Sequence, residues 1–152
     1  MNYWGQELMV NAYNCDTNTI TSKSNINEFI IKLCEMTEME KVGDTIYYEV
    51  EKTEENDKND ITGLTAFQFI KTSNITIHFC NKSGSMYLNF FSCKCYDFEK
   101  VLKLLMEYFK FTTYSYKNLY RNSITGFHYY KLNNFFINNR KWKTTKEKNN
   151  YI

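Results

Sequence analysis

The chain has 152 residues, of which 43% are hydrophobic, 24% charged and 18% aromatic, and it contains no proline. This length fits one domain that buries a sizeable core. The formal net charge of +2 is too small to indicate a nucleic-acid or anionic-membrane partner. No apolar run approaches the roughly 18 residues of a membrane span. We therefore expect a soluble globular protein that binds neither nucleic acid nor membrane.

The predicted elements alternate between strands and two amphipathic helices. In chain order they are a strand at 7–13, a helix at 22–36, strands at 45–51, 62–71, 74–79 and 85–92, a helix at 97–110 and a strand at 112–120. Asn25, with Glu28 three residues later, suggests a capping box for the first helix, and Asp97 suggests the cap of the second. Gly43-Asp44 is predicted as a turn, and the charged run 51–60 as a solvated loop.

This order of elements predicts an α+β fold. Few helices among short, antiparallel-looking strands favour an α/β sandwich, with a mainly antiparallel sheet and the two helices packed on one face. We assign residues 1–121 to this domain and residues 122–152 to an aromatic and basic C-terminal extension. The extension is expected to cover a sheet edge, with an extended dimer contact or partial disorder as the alternatives. Its interleaved aromatic and basic residues are too weakly charged to favour single-stranded nucleic acid.

The five cysteines indicate a reducing environment. They are Cys15, Cys34, Cys80, Cys93 and Cys95. Their odd number, and a start that lacks a basic region followed by an apolar run, predict free thiols in a cytoplasmic protein. The Cys93-x-Cys95 pair does not have the spacing of a zinc site and has no second ligand pair, so we predict no metal.

Three short segments carry the functional signal. Ser73 lies in Lys71-Thr72-Ser73-Asn74-Ile75-Thr76-Ile77-His78, Gly63-Leu64-Thr65 precedes it, and Phe91-Ser92-Cys93 follows it. Taken singly, each candidate residue has an ordinary structural explanation, as a polar residue beside a turn or as part of the core. Together, their order and spacing over residues 5–121 resemble the small, prokaryotic-type S-adenosylmethionine decarboxylases.

The resemblance implies a self-processing enzyme. Cleavage between Thr72 and Ser73 would convert Ser73 into a pyruvoyl cofactor, with Thr65 and His78 assisting and Cys93 returning a proton to the decarboxylated carbon. A ketone of this kind forms a Schiff base with an amino-acid substrate and accepts the electrons left when carbon dioxide departs. The resemblance further implies spermidine synthesis from S-adenosylmethionine, and a homodimer with sites near the subunit interface.

Three positions depart from the family pattern. Thr72 stands where the family has glutamate, Asn74 where it has histidine, and Lys82 where it has the glutamate that binds the ribose hydroxyls. Lys82 removes a carboxylate acceptor and adds a positive charge near a sulfonium substrate. Two alternatives therefore stay open: a pyruvoyl-dependent decarboxylase of arginine or ornithine, and a non-catalytic binding or regulatory homologue.

Overall fold

One antiparallel sheet organises the chain. The computed structural model describes residues 4–59, 61–122, 126–128, 136–137 and 140–141. In chain order the elements are β1 (Gly5–Tyr13), α1 (Thr17–Ile20), α2 (Lys23–Met36), β2 (Lys41–Val50), α3 (Glu54–Lys58), β3 (Gly63–Ile70), β4 (Ser73–Cys80), β5 (Ser85–Ser92), α4 (Phe98–Phe109), β6 (Thr113–Asn122), β7 (Gly126–His128), β8 (Phe136–Ile137) and β9 (Arg140–Lys141). The strands lie in the order β2-β3-β4-β5-β1-β6-β8-β9, and β7 pairs with β6.

The two helices α2 and α4 cover one face of this sheet. Buried side chains occupy mainly alternate positions along β1, β3, β4 and β5 and form the core beneath the helices. The Phe109 ring lies 5.1 Å from the Phe29 ring and 5.2 Å from the Phe79 ring, centroid to centroid, so it joins α4 to α2 and to β4. The structure confirms the predicted α+β sandwich with both helices on one face.

The opposite face of the sheet, which we call the open face, is covered by neither α2 nor α4. Thr65, His78 and Tyr87 lie on it in one cross-strand row, because Thr65 pairs with His78 and His78 with Tyr87. Towards β2 the open face exposes large apolar side chains. They are Val42, Ile46, Tyr48 and Phe69, with exposed fractions of 45%, 56%, 71% and 50%.

Two local predictions were wrong. Helix α2 is capped by Ser22, whose hydroxyl accepts from the Asn25 N–H at 3.2 Å, so Asn25 lies inside the first turn and the predicted capping box does not form. Gly43-Asp44 lies within β2 and is not a turn between elements; the register of β2 against β3 shifts between Val42 and Ile46. Glycine is common both at turns and at irregular positions within a strand, so the sequence alone does not distinguish the two. The pairing of β2 with β3 does.

Other local features agree more closely. Asp97 caps α4, and its carboxylate accepts from the N–H groups of Glu99 and Lys100. The charged run 51–60, predicted as a loop, contains the short helix α3. From the C-terminal extension, β7 and β8 pair with the free side of β6, at the sheet edge that we expected it to cover. Most of the extension, Trp142 included, lies outside the described residues, and the boundary at residue 121 stays a prediction.

Candidate active site

Ser73 has an unusual backbone conformation. It begins β4 after a two-residue turn, Lys71-Thr72, that follows Ile70 at the end of β3. Its φ angle of 152° falls in a region that residues with a Cβ rarely adopt. Such a conformation costs roughly 1–3 kcal/mol and persists only where the surrounding structure enforces it. The main chain is therefore strained at the residue for which cleavage is predicted.

The carbonyl that precedes Ser73 has a specific donor. The backbone N–H of Cys93 donates to the Thr72 carbonyl oxygen at 3.0 Å. Ser73 pairs with Ser92 across β4 and β5, so the start of one strand and the end of the other meet here. A donor aimed at this oxygen withdraws electrons from the carbonyl carbon and would stabilise an oxyanion formed on it.

Side chains hold the same turn from both sides. The Ser92 hydroxyl donates to Thr72 Oγ1 at 3.0 Å and accepts from the Lys94 N–H at 2.9 Å. The Asn74 amide donates to Ser73 Oγ at 3.1 Å. Ser92 is fully buried, whereas Thr72, Ser73 and Asn74 are half-buried. Sequence reasoning included Ser92 in a motif but gave it no role.

Tyr96 anchors the segment that follows β5. Its hydroxyl donates to the Phe90 carbonyl at 2.8 Å, its N–H donates to Gln6 Oε1 at 2.9 Å, and its ring stacks on Phe90 with 4.2 Å between centroids. Burial raises the pKa of Tyr96, so the phenol keeps the proton that it donates. This anchoring fixes the chain around Cys93, whose side chain is exposed.

Thr65 and His78 form a second group. Thr65 Oγ1 lies 2.8 Å from His78 Nδ1, and the imidazole stacks on Tyr87 with 6.5 Å between centroids and 21° between planes. The hydrogen bond orients the ring and engages Nδ1, so Nε2 is the ring nitrogen on its other side. Lys82 lies in the turn after β4, at the end of the strand nearer His78.

The structure joins the predicted residues into two groups within one chain. Thr72, Ser73 and Cys93 meet at one end of β4, and Thr65 meets His78 towards the other. His78 lies five residues beyond Ser73, which is about 16 Å at the rise of an extended strand. An imidazole at that distance does not reach Ser73 in the same chain.

A charged pair borders the first group. Glu7 on β1 forms an ion pair with Arg121 on β6, and the guanidinium carbon lies 4.3 Å from the centre of the Phe91 ring. Gly5 permits this packing, since a Cβ there would lie 2.6 Å from an atom of that ring. The two residues are 114 positions apart, and no local sequence pattern pairs them.

The residues around Ser73 fit the predicted pyruvoyl group, which would be formed from Ser73 itself. The strained φ angle and the amide donor on the Thr72 carbonyl are the features that such a conversion requires. Across the ranges that the structure describes, no three His, Cys, Asp or Glu side chains are grouped as metal ligands. Within the same ranges, no helix has the length and apolar character needed to cross a membrane.

Fold and site together define a two-layer α+β sandwich with a serine of strained backbone conformation at a hairpin turn. The crystal structure of the adenosylmethionine decarboxylase from Aquifex aeolicus has the same fold, with a TM-score of 0.62 and 15% identity over 88% of this chain and 99% of that chain. The sequence profile of the S-adenosylmethionine decarboxylase family matches residues 6–122. This chain therefore belongs to the S-adenosylmethionine decarboxylase family, as its sequence motifs predicted. No curated protein sequence matches it significantly.

Proposed function

We propose that this protein is a pyruvoyl-dependent decarboxylase of S-adenosylmethionine that splits itself between Thr72 and Ser73 and acts in spermidine synthesis. Membership of the family supports the reaction class. The observation that carries the proposal for this chain is the Cys93 N–H on the Thr72 carbonyl, next to a serine with a φ angle of 152°.

Self-processing would use Ser73 as its own nucleophile. Ser73 Oγ attacks the Thr72 carbonyl carbon, and the amide becomes an ester as the Ser73 nitrogen gains a proton. Removal of the Ser73 Cα proton then breaks the bond between Cβ and Oγ, which releases residues 1–72 with a Thr72 carboxylate. The dehydroalanine left at residue 73 takes up one water and releases ammonia, giving the ketone. The Cys93 amide stabilises the oxyanion of the first step.

We infer that the imidazole for the second step comes from another copy of the chain. His78 is about 16 Å along β4 from Ser73 of its own chain. His78 lies on the open face, which also exposes Val42, Ile46, Tyr48 and Phe69, an apolar patch typical of an interface. In a two-fold homodimer of open faces, His78 of the partner subunit would approach Ser73. Thr65 would set its ring orientation.

Cys93 would act after processing. A ketone at residue 73 would supply an electron sink for the carbanion left when carbon dioxide departs. An exposed thiol beside the chain terminus at residue 73 is suited to return a proton to the substrate carbon. The free thiols at all five positions fit the cytoplasmic location that the sequence predicts.

Lys82 replaces the family's ribose-binding glutamate, and this loss leaves a second candidate substrate class open, although the Lys82 ammonium would also repel a basic side chain. It stands in the turn near His78, where the family pattern has the ribose-binding glutamate. An ammonium does not accept hydrogen bonds from ribose hydroxyls, so a site without this clamp is compatible with a simpler basic amino acid such as arginine or ornithine. The self-processing chemistry is the same for either substrate.

Two measurements test the proposal. Intact-mass spectrometry of the purified protein should give two polypeptides, 1–72 and 73–152, the second with an N-terminal mass lower than serine predicts. Release of labelled carbon dioxide from S-adenosylmethionine, arginine and ornithine then identifies the substrate. An unsplit chain without carbon dioxide release would instead identify a non-catalytic homologue. Ser73→Ala is the control, because it retains the fold and removes the nucleophile.

A further inference from the structure

We propose that Ser92 is a positioning residue for self-processing, which holds the Thr72 carbonyl through the Thr72 hydroxyl. The inference deepens the proposed function and rests on it. Within the described chain, Thr72 is held by two consecutive residues at the end of β5. The Ser92 hydroxyl donates to Thr72 Oγ1 at 3.0 Å, and the Cys93 N–H donates to the Thr72 carbonyl oxygen at 3.0 Å.

The two bonds restrain complementary parts of Thr72. The bond to Oγ1 fixes the side-chain torsion relative to the main chain, and the bond to the carbonyl fixes the peptide plane. Ser73 Oγ can attack only one side of that plane, so reaction requires the plane to keep its orientation. A single bond to the carbonyl oxygen would let Thr72 rotate about it, and the second bond prevents this rotation.

Ser92 is itself restrained for this role. It is fully buried, and its hydroxyl accepts from the Lys94 N–H at 2.9 Å. The hydroxyl therefore donates to Thr72 and accepts from Lys94, and these two partners together set its orientation. A hydroxyl held by two partners positions Thr72 more firmly than a hydroxyl that is free to rotate.

The hydroxyl of Thr72 explains a departure from the family pattern. The family pattern has glutamate at this position, and this chain has Thr72. The geometry gives the threonine its own partner, so Thr72 and Ser92 form a matched pair in this chain. Their effects on processing should therefore be coupled.

The test is a double-mutant cycle on the rate of splitting. Wild type, Ser92→Ala, Thr72→Val and the double variant are made by cell-free synthesis, and splitting is followed by denaturing gel, with hydroxylamine added in parallel to cut any ester. Each single variant should split roughly five- to ten-fold more slowly, as the loss of one hydrogen bond implies. The double variant should be no slower than the slower single variant. Thr72→Ser, which keeps the hydroxyl, should split at close to the wild-type rate.

A matched control separates positioning from folding. Ser85 is a buried serine at the other end of β5, and Ser85→Ala should leave the splitting rate unchanged. If Ser92→Ala does not fold, Thr72→Val against Thr72→Ser decides, since the half-buried turn tolerates both. Splitting of Ser92→Ala at the wild-type rate, or a double variant as slow as the product of the two single effects, overturns the inference alone. A wild-type chain that never splits, even with hydroxylamine, overturns the proposed function as well.

Discussion

The backbone N–H of Cys93 points at the carbonyl oxygen of Thr72, 3.0 Å away, and so joins the end of β5 to the bond before Ser73. One residue thus supplies two different groups to the site. Its amide lies where the peptide carbonyl would be attacked, and its thiol lies exposed beside it. Substitution of Cys93 by alanine removes the thiol and keeps the main-chain amide.

Cys93→Ala should therefore split normally and fail in turnover. We expect a splitting rate within about two-fold of wild type, because the donor on the Thr72 carbonyl is a main-chain group. Carbon dioxide release should fall at least about 100-fold, as expected for the loss of a positioned acid. Intact mass and labelled carbon dioxide measure the two effects on one preparation. Failure of Cys93→Ala to split would show that the thiol, and not the amide, serves processing.

Ser73→Gly should be more stable than Ser73→Ala. Both variants remain unsplit, so their unfolding compares the same intact chain. Glycine relieves the strain of roughly 1–3 kcal/mol at the φ angle of 152° and loses roughly 0.5–1 kcal/mol through its greater freedom in the unfolded chain. The net gain in the free energy of unfolding should be about 1 kcal/mol, measured by urea denaturation. Equal or lower stability of the glycine variant would contradict strain at this residue.

Two inactive chains should complement each other if His78 acts on the partner. Neither Ser73→Ala nor His78→Ala should complete splitting alone. In a co-expressed mixed dimer, the His78→Ala chain still has Ser73 and faces an intact imidazole, so about one site per mixed dimer should be processed. Differently tagged chains and intact mass identify which polypeptide is cut. No splitting in isolated mixed dimers would rule out the shared site.

The apolar patch of the open face should hold the dimer together. Ile46→Glu and Tyr48→Glu place charge on side chains that are 56% and 71% exposed in the single chain, so they should cost little in folding and disrupt the association. Light scattering after size exclusion should show a monomer. Ile31 on the outer side of α2 is 40% exposed, and Ile31→Glu should remain dimeric. A dimer that survives both open-face charges would place the interface elsewhere.

The buried thiols should weaken the fold at high pH. Burial raises the pKa of Cys15 to about 12 and that of Cys34 to about 11, from 9.0. Between pH 9 and these values the unfolded thiols lose protons that the folded ones keep, so the free energy of unfolding falls as the pH rises. This pH dependence should be shallower in Cys15→Ala than in the wild type. At pH 8, a thiol reagent should react rapidly with Cys93 and Cys95 and slowly with Cys15 and Cys34.

Local patterns predicted most of the fold. The apolar spacing located α2, α4 and the six long strands to within a few residues, because burial on one face imposes that spacing. The approach of Thr65 to His78 also follows from the sequence once a two-residue turn is placed at Lys71-Thr72, since paired residues lie equally far from the turn. Because an extended strand rises by roughly 3.3 Å per residue, the five-residue spacing then places His78 about 16 Å from Ser73.

The rest depends on tertiary contacts that no local pattern contains. The Cys93 amide meets Thr72 only because β4 and β5 pair in one register, and Ser92 acquires a role only through the same pairing. The ion pair of Glu7 with Arg121 joins the first and the sixth strand. Gly43 indicates an irregular backbone in the sequence, but only its position in the pairing of β2 with β3 shows that it lies within a strand.

The place of the turn has a consequence for the two polypeptides that cleavage would make. The cut falls at the tip of a hairpin whose arms, β3 and β4, stay hydrogen-bonded along eight residue pairs, while β5 holds β4 from its other side. Removing the covalent link therefore frees a new amino terminus without freeing a strand. Both pieces should travel as one particle through any column that leaves the protein folded, and separate only under denaturing conditions.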